Sequence, residues 1–206
     1  KCGFELLKLD GKTEINSKFL KCERLYLKTK SSLIKGNVNF SYLKWSDYVD
    51  FICKVNIDSK LHEQTNINFN DISFFAPELK GLRETVRLSG QINGTIENLN
   101  LSDFKLEYRS STKFSGNLSL SGLPEINNLQ INLNSKQLST THYDLSFLPA
   151  YPFYENKKLV LPQELYRLGV INYTGKLVGF LSNFYTEGRL RTSLGIISSK
   201  LSLELG

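Results

Sequence analysis

The chain has 206 residues, 40% hydrophobic and 22% charged, with a formal net charge of +6. That balance excludes a disordered chain, and no apolar run reaches the ~18 residues of a membrane-spanning helix. The Lys and Arg excess is scattered over solvent-facing positions such as Arg87, Lys105, Arg109 and Arg189, without the dense stripe of a nucleic-acid binder, so no nucleic-acid partner is expected.

The sequence opens at Lys1, holds no Met and shows no signal peptide, and so reads as a piece of a longer protein. Cys2, Cys22 and Cys53 all lie in its first quarter. They allow a Cys2–Cys22 disulfide or free thiols. With no Cys-x-x-Cys pair and no Cys/His cluster, a zinc site is not expected.

Taken in order, the elements are mostly strands. Leu25-Tyr26-Leu27 runs through a polar turn at Lys28–Ser32 into Gly36-Asn37-Val38-Asn39-Phe40, which reads as a hairpin. Phe51, Cys53, Val55 and Ile57 alternate with polar neighbours and predict a strand. Val86, Leu88, Gly90, Ile92, Gly94 and Ile96 do the same, as do Phe104, Leu106 and Tyr108. A second hairpin follows through Ser110–Thr112 into Gly116–Leu120, and Leu129, Ile131 and Leu133 alternate again. Thr140 or Thr141 caps a short helical turn from Tyr143 to Phe147, ended by Pro149. Tyr151–Lys158 reads as a loop. Pro162 to Leu168 gives two more helical turns stopped by Gly169. Val170–Gly175 is strand-like, and Leu190–Leu194 leading into Lys200–Leu203 is a third hairpin.

The chain also repeats itself. Asp71-Ile72-Ser73-Phe74 returns as Asp144-Leu145-Ser146-Phe147, each followed by a Pro-led turn, Pro77–Gly81 in one and Pro162–Gly169 in the other, and then by a strand through glycine. A period of roughly 80 residues marks a repeat array. The units fall near 1–70, 71–143 and 144–206 of one elongated segment. No strand run is apolar on both faces, so a buried parallel sheet is excluded. The predicted fold is all-β: an antiparallel sheet extended by repeats and curled into an open trough, with short helical plugs.

Catalysis finds no support. His62 and His142 stand apart from any nucleophile arrangement. Asp71 and Asp144 hold equivalent repeat positions, which suits binding backbone amides at a turn and does not give two carboxylates the different environments acid–base chemistry needs. There is no phosphate-binding glycine loop, so neither an enzyme nor a cofactor is expected. The glycines lie in or beside strands, where they mark bulges or close approach. Trp45 stands in a turn-like stretch.

The candidate lining of the trough is Leu88, Ile92, Ile96, Phe104, Leu106, Tyr108, Phe114, Leu118, Leu120, Leu129, Ile131, Leu133, Leu177 and Leu190. The alternative is that these side chains form an ordinary dry core.

Thr140-Thr141-x-x-Asp144-Leu145, Leu161-Pro162-x-x-Leu165-x-x-Leu168-Gly169, Gly175-Lys176-Leu177-x-Gly179-Phe180-Leu181-x-Asn183-Phe184 and Gly188-x-Leu190-x-Thr192-x-Leu194-Gly195 together resemble the TamB family in its Bacteroidetes form, related to the AsmA-like and bridge-like lipid transfer proteins. The match covers roughly residues 86–206. The resemblance implies a curled β-sheet with a hydrophobic groove in the periplasm of a Gram-negative bacterium. It also implies an inner-membrane anchor outside this segment and a BamA-like, TamA-type outer-membrane barrel as partner. The expected ligand is phospholipid or another acyl-chain molecule moving between membranes. The alternative is a scaffold that pairs with strands of nascent outer-membrane proteins.

Overall fold

The computed structural model describes residues 5–74, 80–123, 125, 128–148, 157–180 and 182–204. The fold is all-β, as the alternation predicts: one 12-stranded antiparallel sheet. Its strands are β1 (Leu6–Ile15), β2 (Phe19–Thr29), β3 (Leu33–Ser41), β4 (Asn56–Leu61), β5 (Asn66–Asn68), β6 (Thr85–Gly94), β7 (Asn98–Tyr108), β8 (Thr112–Ser121), β9 (Gln130–Thr141), β10 (Val170–Phe180), β11 (Asn183–Thr192) and β12 (Gly195–Glu204). All but β5 lie side by side in chain order, and β5 pairs with both β3 and β6. The three expected hairpins are β2–β3, β7–β8 and β11–β12.

The sheet is curled, and the sequence supplies the means. Register shifts fall at Asp10/Lys12, Cys22/Leu25, Ser89/Gln91, Leu101/Phe104, Ser115/Gly116 and Tyr173/Gly175, so they line up across the strands. Glycines mark the same line: Gly36 and Gly90 both face Leu61, Gly116 faces Phe104 and Ser135, and Gly175 faces Gly188. Aligned bulges and glycines bend a sheet about one crease. Gly90 shows why a side chain is excluded there. Its φ is 129°, and a Cβ would stand 2.8 Å from the Phe104 Cα. The bulges are held the same way in successive hairpins. Arg24 and Asp103 have φ of 54° and 47°, and their N–H groups donate to the side-chain oxygens of Asn37 (2.9 Å) and Asn117 (3.0 Å).

Short helices interrupt the strands at their ends. α2 (Phe69–Ile72) and α3 (His142–Leu145) carry the repeated aspartates. Asp144 is fully buried. One of its carboxylate oxygens accepts from the Ser111 N–H (2.8 Å) and the Thr112 hydroxyl (3.1 Å), and the Arg109 Nε lies 3.7 Å from the other. Asp71 accepts instead from the hydroxyls of Thr29 (2.6 Å) and Ser32 (2.5 Å). Each carboxylate pins the tip of the hairpin in the unit before its own. Of the two candidate caps, Thr141 caps α3, accepting from the Asp144 N–H at 3.2 Å. Gln163–Leu168 forms a 3-10 turn ended by Gly169 at φ 62°. Pro77, Pro149 and residues 151–156 lie outside the described residues, and with them most of the first Pro-led turn and of the expected loop.

One strand expectation fails. Phe51–Lys54 is a helix, α1, entered from a 3-10 turn at Trp45–Asp50, and the strand starts only at Asn56. Tyr48, Phe51 and Ile52 also satisfy the helical i, i+3, i+4 spacing. Asp47 settles the matter: its buried carboxylate accepts from the Leu43 and Lys44 N–H groups, both at 3.0 Å, and fixes the turn. The helix then seats Phe51 edge-on against Phe40, ring centroids 5.5 Å apart.

Candidate functional site

The concave face carries rows of apolar side chains that run across the strands in register. One row reads Thr13, Cys22, Val38, Ser59, Ile92, Leu101, Leu118, Leu133, Leu177, Thr186 and Leu201, each paired with the next. A second reads Ile15, Leu20, Phe40, Ile57, Gly94, Leu99, Leu120, Ile131, Gly179 and Phe184. Across the crease a third joins Leu88, Leu106, Phe114, Leu138, Tyr173, Leu190 and Ile197. Opposed residues in an antiparallel ladder point to one side, so register alone makes this face continuous from β1 to β12.

Of the candidate lining residues, Leu88, Ile92, Phe104, Leu106, Phe114, Leu118 and Leu133 come together with Leu101 in one cluster. Leu120, Ile131, Leu177 and Leu190 extend its rows along β8 to β11. Tyr108 faces Val86 farther along β7. Ile96 sits in the β6–β7 turn, and Leu129 is buried just ahead of β9, so neither belongs to a strand row. Leu99, Leu101 and Leu138 join the cluster without having been anticipated. They lie on the far side of the bulges at Ser102/Asp103 and Ser135/Lys136 from their apolar neighbours, where the strand changes parity. The signal that could have found them was the Asn98-Leu99-Asn100-Leu101 alternation read separately from Phe104–Tyr108.

Phe104 is 5% exposed, Leu101 and Phe114 are buried beside it, and the described residues form a single sheet. Leu88, Ile92, Leu99, Leu106, Leu118, Leu133 and Leu138 pack against them. The convex face is polar and strapped by exposed ion pairs, including Lys105–Glu63 (2.7 Å), Lys136–Asp103 (3.1 Å) and Lys200–Glu187 (2.9 Å). Where the concave face meets the hairpin tips, burial and then the Glu84 charge push the Tyr108 phenol above its ordinary pKa and keep it neutral. Arg109 leaves β7 at φ 55° and lies over the Phe147 ring, 3.7 Å from its centroid, which docks the segment after α3 onto the β7–β8 turn.

Among the described residues no group of three or more His, Cys, Asp or Glu could hold a metal ion, and no helix is long and apolar enough to cross a membrane. His62 is exposed in the β4–β5 connection, and His142 opens α3 with its ring edge-on to Tyr166 at 6.3 Å. Cys22 is a buried free thiol and Cys53 an exposed one, while Cys2 lies outside the described residues. Compared with protein-family models, curated proteins and solved structures, the chain matches none.

Proposed function

We propose that this curled sheet is a stretch of a TamB-like lipid conduit, holding the acyl chains of phospholipid along its concave face. The observation that carries the reading is the register: mainly apolar rows follow one another from strand to strand, a third joining two others from β6 onward, and the face they make stays partly exposed at both ends. Each methylene moved from water to such a surface gains about 0.8 kcal/mol, so ten of them supply roughly 8 kcal/mol. No fixed headgroup site is required for capture, and without one a chain is free to slide. On this reading the protein works in the periplasm of a Gram-negative bacterium without catalysing a reaction. The membrane anchor and the contact with a TamA-type barrel are then supplied by parts of the protein beyond this stretch.

Photoreactive groups at Leu177 and Leu201 on the concave face, with Asn132 on the convex face as control, test the reading in cells. Phospholipid crosslinks at the first two and none at Asn132 are expected, together with phospholipid in organic extracts of the purified protein. Equal labelling of both faces, or extracts without lipid, would overturn it. A second reading, a scaffold for strands of nascent outer-membrane proteins, draws on the fact that among the described residues β1 and β12 each pair on one side only. Crosslinks from β1 or β12 to such proteins, with none to lipid, would favour it.

A further inference from the structure

The crossing from β3 to β4 has a feature the conduit reading does not use. Leu43 and Val49 are 91% and 92% exposed and Trp45 is 53% exposed, all within one short turn. The turn is rigid from below. Tyr42 is buried beneath it, donates its hydroxyl to the Asn16 carbonyl at 2.7 Å, and packs its ring 4.7 Å from Tyr48 and 5.4 Å from Trp45. Trp45 stacks on Tyr48 at 6.0 Å, and Tyr48 leans on Phe51 at 5.8 Å. The corresponding crossing from β8 to β9, Gly122 to Leu129, contains no aromatic residue and buries Leu129. Apolar side chains that cap a stiff aromatic stack have no folding reason to face water.

The charges around the tip select the partner. Lys44 is exposed within it, and Lys18 stands beside it, its carbonyl accepting from the Tyr42 N–H at 2.9 Å. Asp47 is buried under the turn, and Asp50 is paired with Lys54 at 3.1 Å. Glu97 meets the far end, through its N–H to the Ile52 carbonyl and its side chain at Cys53. Among the described residues neither lysine beside the tip has an acidic partner. A protein-binding hot spot fills a pocket in its partner, whereas a convex tip of Leu, Val and Trp over tyrosines, ringed by Lys, matches the layering of a membrane interface. Lysine stems reach back to the headgroups while the apolar tips enter the acyl region.

We infer that the Leu43–Val49 turn is a membrane-docking tip that inserts into the surface of an anionic lipid bilayer. The inference stands apart from the conduit reading, because docking needs no lipid in the groove.

Trp45 is the only tryptophan in the chain, so its fluorescence reports on this turn alone. Vesicles of phosphatidylcholine with phosphatidylglycerol as the minority lipid should shift its emission to the blue, and brominated acyl chains should quench it. The protein should float with these vesicles. The Leu43→Ser/Val49→Ser variant should lose roughly tenfold or more in partitioning, with its unfolding midpoint unchanged because both side chains already face water. Lys18→Glu/Lys44→Glu should weaken flotation in a salt-dependent way. Unchanged emission with vesicles, flotation of the serine variant equal to the parent, or an emission shift produced by a protein partner without vesicles would each overturn the inference. Flotation reads the protein on the bilayer and extraction reads lipid in the protein, so docking and conduit fail separately.

Discussion

The middle of the sheet and its two ends are built from the same alternating sequence and have opposite fates. In β6–β9 the concave-face residues close over one another around Phe104. In β1 and β12, Leu9 opposite Leu27 and Ile197 opposite Leu190 remain 60% and 58% exposed. Side-chain chemistry is the same in both regions, so what differs is the number of neighbouring strands and how far the curl brings them round. In a sheet that covers itself, burial belongs to position along the array, and hydrophobicity at a site says only which face it takes.

The sharpest way to break that comparison is to truncate one apolar side chain in each region. Phe104→Ala should cost about 3–5 kcal/mol, because it removes a buried ring from the centre of its cluster and leaves a cavity there. Leu9→Ala should cost less than about 1 kcal/mol. Urea titration of each variant checks both. Equal losses would mean that the ends are covered in solution and that the contrast is absent from the working molecule.

Next in size come the repeated aspartates. Asp144→Ala removes a fully buried acceptor and strands the Ser111 N–H, the Thr112 hydroxyl and the neighbouring Arg109 guanidinium. The expected loss is about 3 kcal/mol. Asp71→Ala frees two hydroxyls that can turn to other partners or to water, and about 1 kcal/mol should go. Equal losses from the two sites would show that the two pins do the same work despite their different donors.

The repeat made the equivalence of the two aspartates legible, and the expected backbone amide is found at Asp144, whereas the hydroxyl donors to Asp71 were not foreseen. The strand class and the hairpins were legible too, since alternation and polar turns are local. The parity changes were not. Phe104 and Leu101 differ by an odd number of residues yet share a face, because the Ser102/Asp103 bulge holds an extra residue whose amide Asn117 satisfies from the next strand. Nor was α1 legible. Phe51, Cys53 and Val55 fit a strand and Tyr48, Phe51 and Ile52 fit a helix, and the choice rests on the Asp47 turn and on packing against Phe40 from another strand. Which trough residues would be covered depended on the crease, a property of many aligned strands at once.

The crease gives a smaller and more local test. Gly90→Ala places a Cβ at a positive φ and against the Phe104 backbone, and should cost about 2 kcal/mol. Gly195 has a similar φ of 142°, but nothing lies within 4 Å of its missing Cβ. Gly195→Ala should therefore show backbone strain alone, about 1 kcal/mol, and the difference between the two isolates the close approach that the fold at the crease demands.

The smallest effect is expected on the convex face, where the two regions should not differ at all. Glu63 in the middle and Glu187 at the end each sit below the ordinary carboxylate pKa, chiefly through the hydrogen bonds from Lys105 and Lys200, and both lysines are correspondingly raised. A lowered carboxylate adds stability above its unfolded pKa and loses it as pH falls through the folded value. A raised lysine adds stability below its unfolded pKa and loses it as pH rises through the folded one. Stability should therefore be flat between the carboxylate and ammonium ranges and sag slightly at each end. All four groups are open to solvent, so salt should erase the sag. Glu63→Gln and Glu187→Gln should give the same shallow profile as each other. If Glu63→Gln cost far more, the convex face of the middle strands would be feeling the packing beneath it, and the contrast between centre and ends could no longer be assigned to the concave face alone.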